Sequence, residues 1–307
     1  MRRSEAKPSP GVQEPANFRI ATRSSALAVA QAEAVAAALG GAELVTVSNV
    51  EGEPGDKARF VRSVERALLD GEADLGVHSA KDVPGEMADE LALVGVPERE
   101  DPADAFVGDA RAIEELPDGA TVGTASLRRR SQLLAARPDL DVVEVRGNVD
   151  TRLRKLAEGE LDGIVLAVAG LRRLGRDDEI SFRFGADVMV PAPGQGSLAL
   201  QARAGDAEAA TAAAEISDRE ALVEFTAERA ATAALEATCE TPLGICARHL
   251  EGTLAVAGYA GLPDGSEWVR DALRGDPDQP AAVGQALAER MLAAGAGEIL
   301  ERAAEGV

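Results

Sequence analysis

Aromatic side chains are scarce in this chain: Phe, Tyr and Trp make up 3% of its 307 residues. Ala, Val and Leu must therefore fill the interior. Cys239 and Cys246 are the only cysteines and His78 and His249 the only histidines. Two thiols cannot build a disulfide framework, no metal-ligand spacing is present, and no metal is expected. No apolar run approaches the roughly 20 residues that cross a bilayer, so no membrane partner is expected. Lysine is also short. Only Lys7, Lys57, Lys81 and Lys155 contribute to 32 basic residues, against 53 acidic ones and a net charge of -21. That field repels the phosphate backbone and argues against nucleic acid. It keeps a protein soluble and self-repelling, as in halophiles, so an organism with a salty cytoplasm is expected. The first 16 residues, with Pro8, Pro10, Gly11 and Pro15, lack the apolar segment of an export signal and read as a disordered tail, which places the protein in the cytoplasm.

With 46% hydrophobic residues the chain is globular, and its length suits two or three domains. Short β-rich runs alternate with Ala/Leu-rich helical ones, which predicts an α/β protein with parallel sheets covered by helices. Strands are expected at Phe18–Ala21, Glu43–Val47, Ala73–His78 and Leu91–Val96, with a helix capped by Ser24 or Ser25 and stopped by Gly40 and Gly41, and another from about Ala58 to Leu69. The run Pro97-Glu98-Arg99-Glu100-Asp101-Pro102 breaks every pattern and is the linker candidate. A second unit follows, with strands near 121–124, 142–145 and 163–168 and helices opening at Ser126 and Val149. Apolar 189–193 and 198–202 lead into a helix at 207–216, then a long helix at 219–235. The division expected is a tail over 1–16, a first α/β domain over 17–97 and 197–216, a second over 102–192, and an α+β domain over 218–307. The two α/β domains face a cleft, because ligands of open α/β sheets bind beyond the carboxyl ends of the strands.

Against the acidic background one stretch is rich in guanidinium. Arg128, Arg129, Arg130, Arg137, Arg146, Arg152 and Arg154 fall within 29 residues, and Arg forks match carboxylate or phosphate geometry at two points. A site for a polyanion is expected there, at turns opening helices whose free N–H groups favour anions.

These turns carry a family resemblance. Ala21-Thr22-Arg23-Ser24-Ser25, Val77-His78-Ser79-Ala80-Lys81-Asp82-Val83-Pro84, Glu98-Arg99-Glu100-Asp101-Pro102, Ser126-Leu127-Arg128-Arg129, Arg146-Gly147-Asn148-Val149, Leu166-Ala167-Val168-Ala169-Gly170-Leu171 and Pro193-Gly194-Gln195-Gly196 resemble the porphobilinogen deaminase family, in order from about Phe18 onward. Leu235-Glu236-Ala237-Thr238-Cys239 with Pro242-Leu243-Gly244 is similar to that family's cofactor-attachment loop. The resemblance implies two domains of the periplasmic-binding-protein type plus a small third one. It implies a transferase that condenses four porphobilinogen molecules head to tail into hydroxymethylbilane, releasing ammonia, for haem and cobalamin biosynthesis. It also implies a dipyrromethane cofactor held by a thioether to Cys239. A monomer with a small-molecule substrate is expected.

On spacing alone Asp82 is a turn residue before Val83-Pro84. The resemblance makes it the catalytic carboxylate, stabilising the cationic pyrroles that form when ammonia leaves and when the chain extends. By resemblance Ser79, Lys81, Asp82, Thr124, Ser126, Arg128, Arg129, Arg146 and Gly147 hold the cofactor. Arg23, Ser25, Arg146, Arg152, Arg173 and Gln195 serve the substrate or the growing chain. Arg130, Arg137, Arg154 and Arg172 read as solvated surface groups, and Cys246 as a small buried apolar residue. Three departures from the family pattern stand out: the segment 49–59 is shorter and more acidic, Ala125 replaces a serine, and Ala237-Thr238 replaces a glycine pair. Two other classes fit an Arg-lined cleft, a solute-binding protein and an effector-binding domain of a DNA reader. The first normally carries an export signal and the second a helix-turn-helix, and neither feature is visible.

Overall fold

The computed structural model describes residues 18–48, 58–85, 87–238 and 241–306, with side chains from Val61 onward in the second of these stretches. The expected tail and the segment 49–57 lie outside the described residues. The first lobe opens with β1 (Arg19–Arg23), α1 (Ala26–Ala38), β2 (Glu43–Val47), α2 (Ala58–Leu69), β3 (Leu75–Ser79) and β4 (Leu91–Gly95). Of the two capping serines, Ser25 starts α1, its Oγ accepting from the Ala28 N–H at 3.3 Å.

The second lobe follows the Pro97–Pro102 crossing. It comprises β5 (Asp104–Gly108), β6 (Thr121–Gly123), α3 (Leu127–Ala136), β7 (Asp141–Val143), α4 (Val149–Ala157), β8 (Gly163–Ala167), α5 (Val168–Arg173) and the short β9 (Phe182–Arg183). The chain then returns through β10 (Leu198–Arg203) and α6 (Ala207–Glu215) to the first lobe. It ends in α7 (Arg219–Ala234), β11 (Leu243–Leu250), β12 (Thr253–Gly261), β13 (Trp268–Gly275), α8 (Pro280–Ala293) and α9 (Ala296–Glu305).

Both five-stranded sheets share one plan. The first is ordered β2-β1-β3-β10-β4 and the second β7-β6-β8-β5-β9. In each, four strands run in one direction and the fourth position holds the single antiparallel strand, β10 or β5, that has just arrived from the other lobe. The expected parallel sheets are therefore mixed. A crossing strand enters at the cleft, where the parallel strands end, so it has to run away from the cleft. This paired strand order, rather than any one element, defines the periplasmic-binding-protein type of α/β fold.

Small side chains let the layers approach closely. Ile20, Leu75, Val77 and Leu200 of the first sheet pack on Ala32 and Val35 of α1. Phe106, Val122 and Val165 of the second sheet pack on Leu133 of α3. The third unit is an antiparallel sheet ordered β11-β12-β13, backed by α7, α8 and α9 around Ile245, Leu254, Leu287 and Met291.

Helix α7 joins the first lobe, the crossing and the third unit because its i, i+4 rows point in different directions. Ala221 and Phe225 pack with Ala80, Val96 and Ala199 of the first lobe. Ala227 and Ala231 enter the third core. Glu224 and Glu228 meet Arg99 of the crossing at 2.9 and 2.8 Å.

Candidate active site

At the cleft end of β3 the chain turns through a 3-10 segment, Ala80–Asp82. The Ala80 N–H donates to the Ser197 carbonyl at 3.0 Å and its methyl is buried, which leaves Lys81 and Asp82 to face the cleft. Asp82 lies 4.0 Å from the Arg23 guanidinium. Both line a small cavity with Gln31, His78 and Ser79, and Gln31 Nε2 donates to Ser79 Oγ at 3.2 Å. The buried His78 ring meets Gln201 Oε1 at 2.9 Å, while Gln201 Nε2 donates to Glu65 at 3.0 Å. An amide oxygen only accepts, so the His78 proton sits on Nε2. Burial lowers the imidazole to about 4, which keeps it neutral at pH 7.

The densest electrostatics surround a residue not singled out in the sequence. Asp104, at the start of β5, is fully buried. It takes Arg128 Nη1 at 2.7 Å, Arg129 Nε at 2.9 Å and Gln195 Nε2 at 3.0 Å. Arg128 also donates to the Val190 carbonyl and Arg129 to that of Val165, both at 2.8 Å. Burial opposes the Asp104 charge, but the two guanidinium groups hold its carboxyl well below the usual range. Lys81 Nζ approaches Gln195 Oε1 at 3.4 Å. Burial and then the like charge of Arg129 pull the Lys81 ammonium down to about 8. Burial and Arg129 likewise lower Arg152. Lys81, Arg128 and Arg129 thus gather around one fully enclosed carboxylate, with Arg152 within reach of the Arg129 charge.

Replacing Asp104 by Asn keeps the shape and leaves two guanidinium groups buried without their counter-charge. Breaking a buried pair in this way costs about 3–5 kcal/mol. The expected outcome is a drop of that size in urea-unfolding free energy, and a change below about 1 kcal/mol would show that water compensates the arginines.

Gln195 also accepts from Arg99 through its backbone oxygen, at 3.0 Å from Nε and 2.9 Å from Nη2. Gly194 approaches the Ala80–Asp82 turn so closely that a Cβ would meet the Ala80 carbonyl carbon at 2.8 Å, and its φ is +71°, so glycine is required. Arg173 donates to the Gly196 carbonyl at 2.6 Å, and Arg172 pairs with Glu100 at 2.5 Å. Three of the four arginines read as solvated are anchored. Arg172 braces the crossing, and Arg137 donates to the carbonyls of Ile113 and Leu116 as well as to Asp139. Arg130 donates to the Val142 carbonyl. Arg154 does sit on an exposed face, paired with Glu158 four residues on.

Across the cleft, Thr124 Oγ1 accepts from the Ser126 N–H at 3.2 Å and Ser126 caps α3. Arg146 is exposed and meets Glu144 at 2.7 Å. Gly147, at φ +127°, leads into the Asn148 cap of α4, and a Cβ there would strike Thr151 Cγ2 at 2.7 Å. Arg152 Nε donates to the Gly147 carbonyl at 2.8 Å. Direct contacts therefore join Ser79, Lys81, Asp82, Arg23, Arg128, Arg129 and Gln195 into connected groups at the first lobe and the crossings. Thr124, Ser126, Arg146, Gly147 and Arg152 form the facing rim.

Cys239 lies outside the described residues. The helix leading to it closes with the Glu236 N–H on the Ala233 carbonyl and the Ala237 N–H on the Thr232 carbonyl, at 3.0 and 3.2 Å. Glu236 adopts φ 51°, the left-handed position usually given to glycine at a helix end. The Thr238 N–H donates to Thr241 Oγ1 at 2.9 Å and the Thr241 N–H returns to the Thr238 carbonyl at 3.1 Å. Cys246 is buried beside Val190 and Tyr259, and burial pushes its thiol up to about 12.

The fold and site define a two-lobed α/β protein in which arginine, lysine and hydroxyl donors gather with Asp82 at the cleft. The chain belongs to the porphobilinogen deaminase family. The family model described as the porphobilinogen deaminase dipyromethane cofactor binding domain matches residues 18–211, and the one described as the C-terminal domain matches 222–293. The porphobilinogen deaminase of Campylobacter concisus is 40% identical over 305 residues, covering 94% of this chain and 98% of that protein. That of Syntrophotalea carbinolica is 44% identical over 298 residues, covering 92% and 95%. That of Thiobacillus denitrificans is 45% identical over 258 residues, covering 84% and 83%. Among solved structures, the L-cystine solute receptor of Neisseria gonorrhoeae aligns at a TM-score of 0.36 and 16% identity, over 68% of this chain and 90% of that one.

Proposed function

We infer that the chain condenses four porphobilinogen molecules head to tail into hydroxymethylbilane, releasing ammonia, on a dipyrromethane primer joined to Cys239. The observation that carries this reading is the cation cluster of Lys81, Arg128 and Arg129 around the enclosed counter-ion Asp104, with Arg152 within reach of the Arg129 charge and Asp82 beside Lys81. Such a donor set is under-neutralised by the protein itself, and a ligand bearing several carboxylates relieves the repulsion, so the residues present fit the dipyrromethane. When bound, that group supplies the nucleophilic pyrrole terminus on which the product grows.

The chain's own residues supply the rest. Ser79, Lys81, Thr124, Ser126, Arg128, Arg129, Arg146 and Gly147 hold the primer's acetate and propionate arms. Arg23, Ser25, Arg146, Arg152, Arg173 and Gln195 serve the incoming substrate and the elongating chain. Asp82 stabilises positive charge on the pyrrole nitrogen of the substrate and takes a proton at its carboxylate oxygen, with the Arg23 guanidinium 4.0 Å away. Asp104 fixes Arg128 and Arg129 in place, so their positive field costs no rearrangement when the anion arrives.

An intact-protein mass tests the assignment. The purified chain is expected to weigh two pyrrole units more than its sequence, whereas a solute-binding protein or an effector domain binds an anion with no mass increase. Lys81 adds a pH signature. Its ammonium is lost as pH rises through about 8, so the rate of primer capture by primer-free protein should decline with a midpoint near that value. Lys81→Arg, which stays charged, should flatten the decline, and an unchanged midpoint in that variant assigns the effect to another group.

Three further readings have support of their own. Salt adaptation rests on the net charge of -21, and a melting temperature that falls steadily with added KCl would overturn it. A cytoplasmic monomer is in keeping with a strongly acidic, self-repelling chain, and sedimentation checks the monomer. The domain limits 17–97 with 197–216, 102–192 and 218–307 follow the three sheets, and limited proteolysis at the two crossings tests them.

A further inference from the structure

The turn that carries Asp82 is held on one side by Gly194 and Gln195. Its other side meets Arg229 of α7. Arg229 Nη1 donates to the Pro84 carbonyl at 3.1 Å and Nη2 to the Gly85 carbonyl at 2.8 Å, the second and third residues after the 3-10 segment. The guanidinium carbon lies 5.7 Å from the centre of the Phe225 ring one turn earlier. Phe225 itself packs against Ala80 and, with Val83, flanks the turn. In a chain with 53 acidic residues, an arginine bonded to two successive backbone carbonyls and, among the described residues, to no carboxylate is a mechanical fixture rather than a charge partner. Burial lowers its charge affinity further, so the position is costly unless the geometry it holds is used.

We propose that Arg229 is a positioning residue for the condensation: it clamps the segment after Asp82 to α7, the helix that runs into the cofactor-bearing loop, and so fixes the Asp82 carboxylate relative to the growing end. The proposal rests on Asp82 being the reacting carboxylate. Helix α7 is rigidly set by the bonds of Glu224 and Glu228 to Arg99 and by Ala227 and Ala231 in the third core, so a clamp on it transmits that frame to the turn. A planar fork spans two consecutive carbonyls, whereas a lysine ammonium reaches them only as a point charge.

The experiment measures Arg229→Gln and Arg229→Lys, each alone and with Asp82→Asn, with Arg219→Gln on an exposed part of α7 as control. In the single variants kcat should fall about 10- to 100-fold, as expected for a small misplacement of a reacting group, with KM within about two-fold, primer mass unchanged and Arg219→Gln like wild type. Amide exchange over 80–85 should accelerate while α7 keeps its protection. Added to Asp82→Asn, Arg229→Gln should lower kcat by less than about two-fold further, because the two act as one unit. Fully multiplicative effects, unchanged exchange over 80–85, or wild-type kcat in both variants would overturn the clamp. Loss of primer mass would instead make Arg229 part of cofactor attachment and also overturn it. If Asp82→Asn alone keeps wild-type turnover, the Asp82 reading fails, while the exchange data still decide whether the clamp exists. Should the Gln variant not fold, the Lys variant and its exchange pattern carry the decision.

Discussion

Asp82→Asn is expected to lower kcat by about 10²- to 10⁴-fold, the range for a positioned acid–base group, while primer content and KM change little. The substitution keeps the volume and leaves the turn intact, since Ala80 still bonds Ser197 and Val83 still bonds Ala80. What it removes is the negative charge facing the cationic pyrrole. The Arg23 guanidinium, 4.0 Å away, then faces an amide in place of the carboxylate, so its positive field near the cationic pyrrole is less offset. A KM effect with unaltered kcat would reduce Asp82 to a substrate-orienting group. The neutral His78 in the same cavity cannot replace it, because its ring carries no charge at neutral pH.

Cys239→Ser should yield folded protein that lacks the adduct and shows no turnover, because a hydroxyl is a far weaker nucleophile than a thiolate. The described residues on either side make the result clear to read. Thr238 and Thr241 already carry hydroxyls within two residues of it in the sequence, so a further hydroxyl introduces no new chemistry. Cys246→Ser separates thiol chemistry from packing. Its thiol is buried and held protonated, so primer mass and turnover should persist, with about 1–3 kcal/mol lost to burying a hydroxyl. Wild-type activity in Cys239→Ser, or loss of the adduct in Cys246→Ser, would reassign the attachment point.

Elements with strong local signals were legible in the sequence. Ser25 capping α1, the strand Glu43–Val47, Ser126 capping α3 and the helix opening at Val149 depend on neighbours a few residues away. The crossing strand β5 was not seen as a strand, since Asp104-Ala105-Phe106-Val107-Gly108 begins with a charge and follows a linker. It is a strand because both its neighbours are strands that lie far along the chain. The same limit hid part of the site. Asp104 meets arginines 24 and 25 residues away, and Arg99 meets Glu224 and Glu228 at separations of 125 and 129. No local pattern marks such a carboxylate as a buried counter-ion. Gln31 and Arg229 escaped for a related reason: a polar residue on a helix reads as surface until the facing element is known. Arg130, Arg137 and Arg172 were misjudged because exposure, not residue type, separates an anchored guanidinium from a solvated one.

The exchange of strands between lobes dictates an order of events on the ribosome. The second sheet is complete within residues 104–183, since β5 to β9 all lie there. The first is not, because β10 (Leu198–Arg203) fills the slot between β3 and β4. While synthesis runs from residue 95 to 203, β3 and β4 face a gap with unpaired backbone groups along both sides. The usual expectation that the N-terminal unit folds first is therefore reversed here. The middle of the protein closes before its beginning, and the nascent first lobe is the stretch that a trigger-type chaperone has most reason to cover.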